Sequence, residues 1–91
     1  MPDVRRLIFD KENEAHIARH GVTPEEVRKA CESRPLVRRG RYGRLAAYGR
    51  TAAGRFLLII LSPRAGGAYY VVTARDMNRA ERRRYTGIKR R

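Results

Sequence analysis

"RFLLIILS", Arg55 to Ser62, contains the longest apolar run of the chain, Phe56 to Leu61. An unbroken run without polar alternation predicts a central strand, covered on both faces or on one face plus a partner. Just upstream, "RLAAYGRT" (Arg44 to Thr51) has the composition of a second strand. The small residues Ala52, Ala53 and Gly54 between the two predict a hairpin. The apolar run is far too short to cross a membrane.

Downstream of this hairpin, "PRAGG" (Pro63 to Gly67) turns the chain and "AYYVVTA" (Ala68 to Ala74) reads as the next strand. Upstream, "PLVRR" (Pro35 to Arg39) predicts a short edge strand, followed by the turn-rich "GRYG". Nearer the start, "RRLIF" (Arg5 to Phe9) predicts a short strand. Asp10 then caps a helix running to about His20, with Gly21 as its stop. "TPEEVRKACES" (Thr23 to Ser33) is the clearest helix. Thr23 is its N-cap, Pro24 its first residue, and Glu26 closes a capping box. Val27, Ala30 and Cys31 give that helix an apolar stripe. Asn78 with Glu81 predicts another capping box, opening a terminal helix through Tyr85 and leaving residues 86–91 as a frayed basic tail.

The expected order is therefore β-α-α-β-β-β-β-α. It defines an α+β domain, with an antiparallel sheet, two N-terminal helices and one C-terminal helix. At 91 residues the chain is one domain spanning 1–91, without repeats or linkers.

Charge is placed unevenly. Residues 1–34 hold seven Lys/Arg and seven Asp/Glu, whereas residues 35–91 hold fifteen Lys/Arg against only Asp76 and Glu81. The whole excess of +13 thus lies in the second part. Such a segment attracts polyanions by releasing their counterions. Arginine supplies nearly all of it, and its planar fork suits phosphate and carboxylate better than lysine does. The single cysteine, Cys31, has no internal disulfide partner and is expected as a small apolar core residue. "MPDVRRLIFD" has an early acid and no long apolar region, unlike a secretory signal. A cytoplasmic protein is the expectation, with no membrane partner.

The first helix, "DKENEAHIARH", carries Asp10, Asn13, His16 and His20 at spacings of three or four, on one face. Imidazole titrates near pH 6.5 and can move a proton at neutral pH. Equally, His20 can serve as a helix C-terminal cation and His16 can lie half buried. The intervening "IAR" lacks the glutamate of H-E-x-x-H, so zinc is not expected. No nucleophile elbow, P-loop, dinucleotide-binding turn or C-x-x-C occurs. What remains is chemistry needing only proton transfer and charge stabilisation. RNA cleavage fits, because the 2′-hydroxyl is a built-in nucleophile and arginines can neutralise the phosphorane. Tyr69 and Tyr70, adjacent on one strand, face opposite sides. One is expected in the core while the other can stack a base. Tyr42, Tyr48 and Tyr85 are further stacking candidates.

Four segments together resemble one family. They are "FD" (Phe9 and Asp10) with Asn13, "HIARHGVTPEEV" (His16 to Val27), "YGRTAAGRFLLII" (Tyr48 to Ile60) and "VVTARDMNRAERRRY" (Val71 to Tyr85). In this order they resemble BrnT-type toxins, the ribonuclease halves of bacterial type II toxin–antitoxin pairs. The resemblance implies a RelE-like fold and metal-independent, cofactor-free cleavage of RNA that arrests translation. It also implies an antitoxin partner carrying its own DNA-binding domain, with a homodimer of this chain as one arrangement within the complex.

Carried over by position, His20 falls at the family's helix-end histidine and Arg75 at its strand-end arginine. Arg44 matches an arginine preceding the "YGRT"-like strand, and Glu81 and Tyr85 match the last helix. Two departures stand out: Phe9 replaces a frequent tryptophan, and "RRGRYG" replaces an acidic, polar loop. The resulting expectation gives proton transfer to His20, with His16 second, and the scissile phosphate to Arg75 and Arg44. Arg50, Arg79, Arg82, Arg83 and Tyr85 would hold the RNA strand. Two rival expectations stand beside it: a non-catalytic nucleic-acid-binding module, and an interaction protein whose basic face grips an acidic partner.

Overall fold

A computed structural model describes residues 3–90. Its strands are β1 (Leu7–Ile8), β2 (Leu36–Arg39), β3 (Leu45–Arg50), β4 (Phe56–Pro63) and β5 (Tyr69–Asp76). Its helices are α1 (Lys11–Ala18), α2 (Pro24–Glu32) and α3 (Arg79–Lys89). The class is α+β, as expected, with all five strands in one sheet of order β1-β5-β4-β3-β2.

The apolar run lies where its pattern put it. β4 is the middle strand, antiparallel to β3 and β5 on either side. Its side chains alternate between two apolar clusters. Leu57, Ile59 and Leu61 pack with Ile17 of α1 and Val27, Ala30 and Cys31 of α2. Leu58, Phe56 and Ile60 pack on the opposite face, with Met77 and Tyr85. Ile17, Leu57, Ile59, Leu61 and Val71 are completely buried, each stabilising the fold by about 1.5–3 kcal/mol. Cys31 is buried among them, and desolvation pushes its thiol up to about 12.

Local chemistry fixes the helix starts. Asp10, Thr23 and Asn78 each accept from the backbone amide of the third helical residue, and Asn13, Glu26 and Glu81 reciprocate. The α1 cap does more. Asn13 is buried, takes the Asp10 amide at 2.8 Å and donates to the Ile8 carbonyl at 2.9 Å. It thereby ties β1 to α1.

One close approach sets the α2–sheet distance. A Cβ at Gly49 would lie 2.5 Å from the Ala30 carbonyl oxygen, so the backbones of β3 and α2 nearly touch. Only glycine fits there.

The sheet departs from expectation at one edge. β1 pairs with β5 in parallel, Leu7 opposite Tyr69 and Ile8 opposite Tyr70, so the sheet is mixed. A two-residue strand carries no pattern that distinguishes the two directions. The last helix also runs further than expected. Residues 86–89 are helical rather than frayed, because Ile88 is half buried and the Lys89 ammonium donates to the Arg34 carbonyl at 2.6 Å. Arg91, the end of the expected tail, lies outside the described residues.

Candidate nucleic-acid interface

Strand register brings separated residues into rows. Leu36, Tyr48, Leu58 and Arg75 lie side by side across β2, β3, β4 and β5. The next row on the same face is Arg38, Ala46, Ile60 and Thr73. This face is opposite α1 and α2. The C-terminal helix covers the first row, with Tyr85 and Met77 packed on Leu58. The second row stays half exposed.

Between β2, β3 and α3 the surface sinks into a cleft of about 390 Å³. Leu36, Arg38, Arg39 and Tyr48 form its sheet wall, and Glu81, Arg84 and Tyr85 its helix wall. Its electrostatics follow from where two acids are committed. Glu81 accepts two hydrogen bonds from Arg75, at 2.8 and 2.9 Å, and one from the Asn78 amide at 2.8 Å. The Arg75 guanidinium holds the Glu81 carboxyl below its usual range, and Arg84 adds to the effect through space. Asp76 accepts from Arg55 at 2.8 and 3.1 Å, which lowers its carboxyl in the same way. These are the only two acids after residue 34. Arg38, Arg39 and Arg84 form no ion pair among the described residues, with these two acids or with those nearer the start.

Arg55 is the largest omission of the sequence reading. From the end of the β3–β4 turn it also reaches Glu26 at 3.0 Å and the carbonyls of Gly21 at 2.7 Å and His20 at 3.3 Å. It joins the α1–α2 connection to the end of β5, and its hydrogen bonds to Asp76 raise its own pKa. Nothing local in the sequence marks it, because its partners lie 21 to 35 residues away.

The expected site residues do not form one constellation. The polar stripe of α1 divides: Asp10 and Asn13 are committed to the helix start, and Asp10 also accepts from the Tyr70 hydroxyl at 2.9 Å. His16 and His20 are exposed, with ring centroids 6.0 Å apart. Neither imidazole bonds to Arg75 or Arg44 among the described residues. Arg75 and Arg44 themselves stand at opposite ends of the sheet. Arg44 precedes β3 by one residue, four positions before Tyr48 in the Arg75 row, which is about 13 Å along the strand. They suit two different phosphates rather than one.

Arg50 and Arg82 both lie over the Phe56 ring, at 5.0 and 4.2 Å from its centroid. This is cation–π geometry that leaves their charge unneutralised. Arg79 and Arg83 are exposed on the same helix. Tyr85 needs correction as a strand-holding residue. It is 7% exposed and packs edge-on against Phe56 at 5.9 Å, so its ring is core and cannot stack a base. Tyr69 packs against the core as one of its pair was expected to, while Arg64 already covers the Tyr70 ring at 5.0 Å. Tyr42 is the most accessible aromatic, 89% exposed and held at φ 58° in the loop before β3.

The chain is a small α+β domain with a cleft on one sheet face lined by Arg38 and Arg84. No protein-family model matches the chain, and no curated protein matches it either. No helix among the described residues is long and apolar enough to cross a membrane.

Proposed function

We propose that this chain is the toxin of a type II toxin–antitoxin pair, a metal-independent endoribonuclease of the BrnT type with a RelE-like fold. One observation carries the reading: both acids of the basic segment are consumed by Arg55 and Arg75, leaving a sheet face lined with unneutralised arginines. A single RNA strand laid over that face runs from Arg75 at one end, past Arg84 and Arg38, to Arg44 at the other. Its 2′-hydroxyl supplies the nucleophile and the arginines neutralise the phosphorane, while His20, backed by His16, moves the proton from the α1 side, where the strand passes the end of β5. An acidic antitoxin with its own DNA-binding domain neutralises the protein in the cytoplasm.

Purified protein incubated with RNA and EDTA tests this directly. Cleavage is expected, with loss of cleavage and of growth arrest in Arg75→Ala. A cleavage rate flat from pH 5 to 9 would exclude histidine acid–base work.

A second reading has its own support. The histidines and the cleft belong to different parts of the molecule, and Arg75 is already bound to Glu81. A non-catalytic nucleic-acid-binding module needs neither group. Salt-sensitive RNA binding without any cutting selects that alternative.

A further inference from the structure

We infer that the cleft between β2, β3 and α3 is a phosphate-binding site selective for a phosphomonoester, the dianionic end of a nucleotide or of an RNA strand. Two basic side chains line it on this face of the sheet, Arg38 from β2 and Arg84 from α3, while Arg39, next along β2, points to the other face with Val37 and Leu45. None has a carboxylate partner among the described residues. Glu81, the one acid in the wall, is already saturated by Arg75 and the Asn78 amide. The cleft therefore presents two guanidinium groups that form no ion pair, Arg38 and Arg84.

A phosphodiester inside a strand offers one negative charge and two free oxygens. A phosphomonoester at neutral pH offers nearly two charges, one for each of the two guanidinium groups, and three strong acceptor oxygens. Tyr48 and Leu36 complete the sheet wall. A volume of about 390 Å³ lies within the range of sites for nucleotide-sized ligands. None of these residues was marked by sequence pattern as a phosphate ligand, since Arg38 and Arg84 meet only through strand pairing and helix packing. The phosphate chemistry stands without the ribonuclease reading; only the assignment of an RNA end as its source rests on that reading.

The test measures affinity of the full chain at fixed ionic strength, using 2′-O-methyl oligonucleotides that cannot be cleaved through their 2′ position. Oligonucleotides bearing a 5′-phosphate, a 3′-phosphate or hydroxyls at both ends are compared with 5′-AMP and inorganic phosphate. At least one phosphorylated end is expected to bind about tenfold or more tightly than the hydroxyl-ended strand, about 1.4 kcal/mol. Arg38→Gln combined with Arg84→Gln should abolish that advantage, while Lys29→Gln, exposed on α2 across the sheet, should keep it. Competition by 5′-AMP as strong as by the oligonucleotide assigns the site to free nucleotides. Competition by the oligonucleotide alone assigns it to RNA ends.

A variant-free measurement stands beside these. The advantage should fall as pH drops from 7.5 to 5, because the monoester takes up its second proton near pH 6. Glu81 does not mimic this, because the Arg75 guanidinium holds its carboxyl below the ordinary range, nor does Tyr85, whose hydroxyl burial pushes up. Equal affinity for phosphorylated and hydroxyl-ended strands would overturn the proposal, as would an advantage that survives in the double variant. Because cleavage is never read, a failed ribonuclease assay leaves this result intact.

Discussion

Arg75 sits opposite Leu58 in the sheet, yet its guanidinium is spent on Glu81 of α3, two parallel hydrogen bonds at 2.8 and 2.9 Å. The pair staples the end of β5 to the start of α3. Both side chains remain partly accessible, 40% and 19%, so its coupling energy is expected near 0.5–1 kcal/mol after solvent screening. Glu81→Ala should cost more than Arg75→Ala, because Glu81 also closes the α3 capping box. A double-mutant cycle read by urea denaturation checks the coupling. If Arg75→Ala is as stable as the parent yet inactive on RNA, Arg75 acts on the substrate.

The Arg55 network predicts acid sensitivity. Glu26, Asp76 and Glu81 all have carboxyls lowered from ordinary values of 4.5, 3.8 and 4.5. A carboxylate lowered in the folded state contributes stability above its unfolded pKa and loses it as pH falls through the folded pKa. Stability should therefore be level from pH 7 to about 5 and decline below pH 4.5. Arg55→Ala should flatten that decline, since it removes the partner of Glu26 and Asp76. An equally steep acid transition in Arg55→Ala counts against the assignment.

Gly49→Ala should destabilise the protein by about 1–3 kcal/mol, an overpacking effect. The added carbon meets backbone, which cannot rotate away as a side chain can. Thermal melting gives the answer. An unchanged melting temperature would mean that α2 shifts off β3 at no cost.

Tyr42 stands at φ 58°, a conformation unfavourable for a bulky residue. Tyr42→Gly should stabilise the fold by about 0.5–1 kcal/mol, the relieved strain being partly offset by the chain entropy of glycine. The same change should weaken RNA binding, because the exposed ring is free to stack a base. Stabilisation with unaltered RNA affinity would show that the aromatic is incidental.

Most of the fold was legible because its signals are local. Capping boxes at Thr23 and Asn78 announced two helix starts within four residues, and Phe56 to Leu61 announced the central strand by lacking alternation. What stayed hidden depends on register or on distant partners. Tyr48 and Arg75 become neighbours of one row only when β3, β4 and β5 pair, and Arg38 faces Arg84 only when α3 docks. Composition correctly placed the charge in the second part of the chain. It could not say which two arginines would be neutralised, and so overlooked Arg38, Arg39 and Arg84 while promoting the buried Tyr85.

The parallel pairing of β1 with β5 has a bearing on how the molecule is made. Synthesis proceeds from the N-terminus, so Leu7 and Ile8 leave the ribosome long before Tyr69 and Tyr70 exist. The first strand produced must wait for the last, and closing so long a loop slows assembly. The β3–β4 hairpin can form during that wait, whereas the sheet edge beside β5 closes only once β5 itself has been made.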